Sequence, residues 1–280
     1  MAAIRTQEII LQNQQKRAFA TTLRYRTDDC PKPVLLFVHG FKGFKDWGHF
    51  PLVAQYLAEQ GFFVLSINLS MNGTTVEQPT DFADLEAFGR QTYAQDLADI
   101  SSLLDYLHSA SEWATEVNRQ QIYLLGHSRG GAVALLAAAK DIRIKKVITW
   151  ASVAESDFVW TALRVAELLA EGKSTVPNAR TGQLMPLYEE GYREAKGGQY
   201  LLEKAVKSLQ IPVLLLHGTA DSSVLPEKAA LLKQWANRAK LHYIEGANHT
   251  FGGAHPYLQE HLPAHTAEAL GLCLDFLREG

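Results

Sequence analysis

The residues with the clearest chemical signature are residues 126–130 (GHSRG), which fit the pattern Gly-x-Ser-x-Gly. They follow an apolar run, residues 122–125, and open an Ala-rich stretch with helical spacing, residues 131–140. A serine in a tight turn between a strand and a helix presents its hydroxyl at the edge of a sheet, and the flanking glycines let the turn close. The pattern therefore predicts that Ser128 is a nucleophile. The alternative is an ordinary serine in a glycine-rich turn.

A serine hydroxyl needs a general base to become a nucleophile, and the base needs a carboxylate to orient it. In this strand–turn–helix setting the three residues follow one another in the order Ser, Asp, His. Asp221 and His249 each follow a short apolar run, and the carboxyl ends of parallel strands meet at one edge of a sheet. We predict a catalytic triad of Ser128, Asp221 and His249. Asp157 is the alternative acid, and His217 is expected to pack or to form local hydrogen bonds.

The same chemistry requires two backbone N–H groups that face the negative charge developing on the substrate oxygen. One is predicted to belong to Arg129, directly after the nucleophile, and the other to Phe41, in the loop after the apolar run 34–38. The alternative for the second is a simple turn between a strand and a helix.

Aromatic side chains near the same edge of the predicted sheet are candidates for an apolar substrate pocket, with plain packing as the alternative. These candidates are Phe41, Phe44, Trp47, Phe158, Trp160 and Phe251. The three histidines His255, His261 and His265 have no carboxylate or cysteine at ligand spacing, so no metal site is predicted. No glycine-rich phosphate-binding pattern follows a strand, so no nucleotide cofactor is expected.

Most of the chain alternates between short apolar runs and stretches with helical spacing, which predicts a mostly parallel sheet with helices on both faces. An antiparallel hairpin is predicted at residues 8–11 and 17–25, and one long helix at residues 85–107. Residues 152–210 interrupt the alternation and are too long for a plain loop. We predict that they form a small inserted cap within a single domain spanning residues 1–280. The cap should contain a helix at 158–169, a β-ribbon within 174–187 and a helix at 200–209.

Composition excludes several classes of protein. The chain has 280 residues, 47% of them hydrophobic, and a formal net charge of −3, which does not favour nucleic acid or an anionic membrane as partner. Cys30 and Cys273 lie at opposite ends of the chain, so a disulfide framework is not expected. No signal peptide or apolar run of membrane-spanning length is present, and a cytoplasmic location is expected.

The chain resembles the α/β-hydrolase superfamily, and within it the bacterial esterases and dienelactone-hydrolase-like proteins. The resemblance rests on the stretches VLLFVHGFKGFKDWG, IYLLGHSRGGAVAL, PVLLLHGTADSSV and EGANHTF, in this order between residues 34 and 251. It implies the α/β-hydrolase fold and the triad named above. Dienelactone hydrolases use cysteine as nucleophile, so Ser128 argues against that particular activity.

These observations together predict a serine hydrolase that cleaves a small carboxylic ester through an acyl-enzyme intermediate. A peptidase or a thioesterase could use the same triad. A binding protein that has the fold without the catalysis is the alternative from another class, although such proteins usually lack a member of the triad. The sequence leaves the physiological substrate and the oligomeric state open.

Overall fold

The computed structural model describes residues 3–279. Ten strands are present among these residues: β1 (Ile4–Gln12), β2 (Ala18–Arg26), β3 (Lys32–Val38), β4 (Phe63–Ile67), β5 (Val117–His127), β6 (Ile144–Trp150), β7 (Ser174–Pro177), β8 (Leu184–Leu187), β9 (Val213–Gly218) and β10 (Ala239–Ile244). Eight of them form one sheet in the order β1-β2-β4-β3-β5-β6-β9-β10, and β7 and β8 form a separate two-stranded ribbon.

The large sheet is mostly parallel. Strands β1 and β2 form an antiparallel hairpin, β2 pairs antiparallel with β4, and all remaining pairs of the large sheet are parallel. Strand β1 alternates between exposed and half-buried residues, as an edge strand with one wet face does, whereas every residue of β4 and β9 is buried. The continuous apolar runs therefore mark strands covered on both faces, and the predicted fold class and hairpin are confirmed.

Nine helices accompany the sheet in the part of the chain that the structure describes: α1 (Phe50–Glu59), α2 (Leu85–Gly89), α3 (Tyr93–Ser109), α4 (Arg129–Ala138), α5 (Ala162–Glu171), α6 (Glu189–Lys196), α7 (Leu202–Ser208), α8 (Glu227–Trp235) and α9 (Ala264–Arg278). Helices α3, α4, α7 and α8 bury their apolar residues against one face of the sheet, while α1 and α9 cover the other. Alternate residues of β3 accordingly belong to two different core clusters, one on each face.

The segment between β6 and β9, residues 152–210, contains α5, the β7–β8 ribbon, α6 and α7. A third apolar cluster joins the ribbon to the rest of the protein through Val176, Met185 and Leu187, which pack against Phe44 and Phe88. The segment is also bound to the first turn of α3, because the carboxylate of Glu194 accepts the backbone N–H groups of Tyr93 and Ala94 at 2.6 and 2.8 Å. These contacts hold the ribbon beside the loop that follows β3.

The long helix predicted at residues 85–107 is wrong, because the chain forms two helices there. Thr92 has extended backbone dihedrals, and its hydroxyl and the Gln95 side chain form a reciprocal capping box at the start of α3. The hydroxyl of Thr161 accepts the Arg164 N–H at the start of α5, so the helix predicted at 158–169 begins later, at Ala162. Helix α6 was not predicted: it has no buried residue, and so its sequence carries no apolar stripe.

Candidate active site

Ser128 occupies a sharp turn between β5 and α4. Its backbone has φ 54° and ψ −121°, a conformation that L-residues rarely adopt. A side chain at Gly126 would collide with the backbone of Gly130, and one at Gly130 would collide with the carbonyl of Val38 on the neighbouring strand. Both glycines are therefore needed for the turn to close. The turn leaves the hydroxyl of Ser128 at the carboxyl end of the sheet.

Two further side chains at the same edge of the sheet continue a chain of hydrogen bonds that begins at this hydroxyl. The Nε2 atom of His249 lies 3.0 Å from Oγ of Ser128, and Nδ1 of the same ring lies 2.8 Å from Oδ2 of Asp221. Asp221 follows β9 and His249 follows β10, which are adjacent and parallel. The sheet thus brings together the three residues singled out in the sequence. Because Asp221 is buried and accepts the hydrogen of Nδ1, Nε2 is left free to accept a proton from the serine.

Asp221 is held as a carboxylate by several donors. Burial opposes its ionisation, but hydrogen bonds from His217 and His249 and from the backbone outweigh this, and the pKa of Asp221 is well below its usual range. The backbone N–H groups of Ser223 and Val224 donate to Oδ1 at 2.8 and 2.9 Å. The role expected for His217 is refined here, because its Nε2 lies 3.2 Å from Asp221 Oδ2 and 2.8 Å from the Val224 carbonyl.

The alternative acid, Asp157, lies in the loop after β6 and forms no hydrogen bond with His249, whose Nδ1 is already bonded to Asp221. Its backbone carbonyl accepts the N–H of Trp160 at 2.8 Å. Asp157 also borders a separate cavity together with Ser223 and Val224. Geometry therefore favours Asp221 as the partner of the histidine.

The backbone of His249 is held in place by His127, the residue that precedes Ser128 in the turn between β5 and α4. Its Nε2 lies 2.9 Å from the carbonyl of His249, and the two ring centroids are 4.8 Å apart. Burial lowers the pKa of His127 to about 3, so the ring is neutral at physiological pH and Nε2–H donates to that carbonyl. His127, the residue directly before Ser128, thus holds the backbone of His249 in place. The sequence did not predict this role.

The loop after β3 lies directly against Ser128, since a Cβ added at Gly40 would be 2.9 Å from Cβ of the serine. His39 anchors this loop: its Nδ1 lies 2.9 Å from the Gly40 carbonyl, and its Nε2 accepts the Leu69 N–H at 3.2 Å. Burial lowers the pKa of His39 to about 4, which keeps the ring neutral. Because Nε2 accepts a hydrogen bond, the proton lies on Nδ1, which donates to the Gly40 carbonyl. The backbone of Phe41, the predicted oxyanion donor, is the next part of this loop.

Arg129, the second predicted oxyanion donor, is the first residue of α4, so its N–H has no acceptor within the helix. Its side chain is buried, forms an ion pair with the buried Asp96, and stacks over the Tyr93 ring at 4.3 Å. Burial disfavours the charge of Arg129, but the negative charge of Asp96 outweighs it and raises the pKa of Arg129. The pair fixes the residue that follows the nucleophile against α3.

A cavity of about 260 Å³ opens above Ser128, and we call it the Ser128 cavity. It is lined by residues of the β3 and β5 loops, the ribbon turn and the loop after β10: Gly40, Phe41, Lys42, Gly43, Trp47, Phe50, His127, Ser128, Asn178, Ala179, Arg180, His249 and Thr250. Of the predicted pocket aromatics, Phe41 and Trp47 line this cavity. The polar ribbon residues were not predicted to line the site, because nothing in a short polar turn indicates which part of the sheet it will cover.

The other predicted pocket aromatics lie elsewhere, and these assignments are corrected. Phe44 and Phe251 are fully buried: Phe44 packs in the ribbon cluster and Phe251 lies 5.4 Å from the Trp150 ring. Phe158 and Trp160 line a second, smaller cavity of about 40 Å³, beside Arg129 and Glu194. These residues were predicted to line the pocket because they are aromatic and lie near the ends of strands. Which of them face the Ser128 cavity depends on the direction in which each side chain points.

Within residues 3–279 no group of three or more His, Cys, Asp or Glu side chains is arranged to hold a metal ion. His255 accepts the Gly48 N–H at 2.8 Å and stacks on Trp47. Cys30 is exposed, Cys273 is buried, and neither forms a disulfide. None of the described helices is both long enough and apolar enough to cross a membrane.

The fold and the arrangement at the carboxyl edge of the sheet are those of an α/β hydrolase. The sequence profile of the alpha/beta hydrolase family matches residues 35–261 of this chain. The chain therefore belongs to the alpha/beta hydrolase family.

One curated relative is an uncharacterized protein of Pseudomonas aeruginosa (PA2218), 30% identical over 156 residues, which are 53% of this chain and 38% of that protein. The chain thus matches well under half of this relative's length.

Solved structures of two other proteins have a similar fold. Est1E from Butyrivibrio proteoclasticus has a TM-score of 0.71 at 22% identity, covering 96% of this chain and 98% of Est1E. A structure of Est1E with bound ferulic acid superimposes with a TM-score of 0.66. The esterase domain of a Rhodothermus marinus protein has a TM-score of 0.61 at 23% identity, covering 88% of this chain and 90% of that domain. At these identities the similarity establishes the fold.

Proposed function

We propose that this protein is a serine hydrolase that cleaves carboxylic esters through an acyl-enzyme intermediate. The observation that carries the proposal is the unbroken hydrogen-bond series from Ser128 Oγ through His249 to Asp221, with distances of 3.0 and 2.8 Å. The strained turn at Ser128 adds support, because such strain persists where it serves a site. The esterase among the structural neighbours supports an ester as the substrate.

In this mechanism Ser128 Oγ attacks the ester carbonyl carbon while its proton passes to Nε2 of His249. The charge on the carbonyl oxygen is stabilised by the backbone N–H groups of Phe41 and Arg129. The tetrahedral intermediate then collapses, the bond to the leaving oxygen breaks, and His249 gives the proton to the departing alcohol. Water, deprotonated by His249, attacks the acyl-serine and releases the acid. Asp221 stays ionised throughout and stabilises the imidazolium that forms twice in each cycle.

Residues 152–210 act as a cap in this proposal, because the ribbon turn at Asn178, Ala179 and Arg180 lines the Ser128 cavity. The cap would contact the part of the substrate remote from the carbonyl. Binding energy there raises specificity without taking part in the chemical step.

The test combines a fluorophosphonate probe with p-nitrophenyl esters of increasing acyl length, assayed beside aminoacyl and thioester substrates. We expect stoichiometric labelling of Ser128 and the highest kcat/KM on a carboxylic ester. Preference for an aminoacyl or thioester substrate would assign the same site to a peptidase or a thioesterase. The absence of labelling and of all hydrolysis would indicate a binding protein.

Ser128→Ala should lower kcat by about 10⁴ or more while the fold survives, since the side chain supplies the nucleophile and little packing. The matched control is Ser222→Ala, which removes an exposed hydroxyl beside Asp221. Circular dichroism and Tm should be unchanged in both variants. Retention of more than a few per cent of wild-type kcat in Ser128→Ala, with contamination excluded, would refute the assignment of the nucleophile.

A further inference from the structure

The lining of the Ser128 cavity carries an uneven distribution of charge. Two cationic side chains, Lys42 and Arg180, line it, whereas none of its lining residues is a carboxylate. The proposed chemistry uses Ser128, His249 and two backbone N–H groups, and it needs neither cation. A function for these two charges must therefore be sought in the remote part of the substrate.

Lys42 is held at the cavity by an unusual backbone. It directly follows Phe41 and has φ 57°, in the left-handed region that a lysine rarely adopts. Its Nζ donates one hydrogen bond to the Pro177 carbonyl of the ribbon at 3.0 Å, which leaves further N–H donors on the ammonium group. Burial and the positive charge of Arg164 both lower the pKa of Lys42, so an anion beside it would be stabilised electrostatically.

Arg180 lies at the turn of the same ribbon and also lines the cavity. Its nearest carboxylate partner is Asp81, with Nη2 and Oδ1 3.9 Å apart, and the Asp81 side chain is 66% exposed to water. An ion pair that is long and this exposed neutralises little of the guanidinium charge. The Arg180 side chain itself is only 28% exposed, so its charge acts on the cavity with less screening than a surface arginine would have.

A third donor in the same turn has no partner. Asn178 is 6% exposed and lines the Ser128 cavity. Its Oδ1 accepts the backbone N–H of Arg180 at 3.2 Å, which fixes the amide so that Nδ2 is the remaining donor. Among residues 3–279 nothing accepts a hydrogen bond from this Nδ2. A buried donor without an acceptor is destabilising, and such a group at a ligand cavity indicates a missing acceptor.

We propose that the substrate is an ester carrying a carboxylate on the part remote from the scissile bond, and that Lys42, Arg180 and Asn178 bind this carboxylate beneath the ribbon. The inference rests on the proposed ester-hydrolase function. Arginine binds carboxylates through paired N–H groups, and lysine and amide donors can occupy the remaining lone pairs. A neutral ester of the same shape would leave all three donors without an anionic acceptor.

The first experiment compares esters matched in shape and in leaving group. The p-nitrophenyl monoester of adipic acid is compared with p-nitrophenyl 6-methylheptanoate, in which two methyl groups replace the carboxylate oxygens. A second pair, 4-(butyryloxy)phenylacetate and its primary amide, places the carboxylate on the alcohol side. We expect kcat/KM to favour the anionic member by about tenfold or more in one of the pairs, as one charge-assisted hydrogen bond provides. The preference should shrink between about 50 and 500 mM NaCl, because salt screens the attraction.

The second experiment tests whether the two cations cause this preference. Arg180→Met and Lys42→Met should each reduce the anionic-to-neutral ratio of kcat/KM by about tenfold, and Arg180→Glu should reverse it. Asn178→Asp should also reduce the ratio, because it replaces the free donor by a negative charge. Lys173→Met, which removes an exposed cation of the same segment outside the cavity, is the control and should retain the wild-type ratio.

The outcomes separate this inference from the function on which it rests. Equal kcat/KM within both ester pairs, or a ratio that Arg180→Met leaves unchanged, overturns the carboxylate site if Ser128 is still labelled by fluorophosphonate and neutral esters are still hydrolysed. If neither labelling nor hydrolysis is found, the ester-hydrolase proposal fails and the carboxylate site fails with it.

Discussion

Asp221 accepts more hydrogen bonds than the orientation of one imidazole requires. Two backbone N–H groups, from Ser223 and Val224, and the rings of His217 and His249 all surround its carboxylate. With its pKa well below the usual range, the group remains ionised at neutral and mildly acidic pH. A change in protonation of Asp221 therefore cannot limit the activity at mildly acidic pH.

Asp221→Asn should lower kcat by about 10⁴, because the amide cannot hold His249 in the required tautomer. Asp157→Asn, a matched change on the neighbouring loop, should have little effect, since Asp157 makes no hydrogen bond with the histidine. Steady-state kinetics on one activated ester gives the ranking. If Asp157→Asn were the more damaging change, the acid of the triad would have to be reassigned to the loop after β6.

At the scale of elements, the segment of residues 152–210 has two parts with different surroundings. The β7–β8 ribbon presents its turn to the Ser128 cavity, whereas the residues directly before α5 line a smaller cavity. Trp160 belongs to the second part: its indole ring makes an edge contact with Tyr192, with centroids 5.5 Å apart. The contacts of Trp160 favour packing over substrate binding.

Trp160→Ala should therefore lower the free energy of unfolding by about 2–3 kcal/mol, somewhat less than for a fully buried Trp. The relative kcat/KM values across esters of different acyl length should stay as in the wild type. Urea unfolding and the ester panel measure the two effects, and Leu163→Ala, at a side chain 69% exposed on α5, serves as the control. A changed acyl preference with unchanged stability would instead place Trp160 in the substrate pocket.

At the scale of the whole molecule, three buried histidines make stability depend on pH. Burial lowers the pKa of His39 and His49 to about 4 and that of His127 to about 3. In the unfolded chain a histidine has a pKa of about 6.5, so between about pH 6.5 and 4 the unfolded state binds protons that the folded state does not. Asp99 acts in the opposite direction, because burial raises its pKa to about 7 and the folded state takes up a proton there.

The free energy of unfolding should therefore fall as the pH drops from about 6.5 towards 4, by up to about 1.4 kcal/mol per pH unit for each of the three imidazoles. The buried carboxyls of Asp99 and Glu194, whose pKa values burial raises, offset part of this fall. The carboxylate of Asp221, with its lowered pKa, loses its stabilising effect only at pH values below this window. Urea unfolding at several pH values measures the slope. His49→Gln should reduce it by about 1.4 kcal/mol per pH unit, while the exposed His242→Gln should not. A flat profile would show that the buried imidazoles titrate normally.

Much of the architecture follows from local patterns in the sequence. Continuous apolar runs such as β4 and β9 are typical of strands covered on both faces, and the alternating β1 is typical of a strand with one wet face. Gly126 and Gly130 let the turn at Ser128 close, and the positions of Asp221 and His249 after successive strands place them at the same edge. These features depend on backbone geometry and periodicity, which nearby residues determine.

Which side chains line the Ser128 cavity was decided only by the tertiary structure. Phe44 and Phe251 have the residue type of a substrate pocket, yet their side chains point into the core, while the polar turn at Asn178 and Arg180 covers the site. The break between α2 and α3 has a local cause, the capping box of Thr92 and Gln95, but it also depends on Glu194, a residue about 100 positions further along the chain. Such contacts join segments distant in sequence, and their outcome depends on how the segment of residues 152–210 packs on the sheet. Local patterns cannot encode that packing, because it is the sum of many weak contacts between faces that meet only in the folded chain.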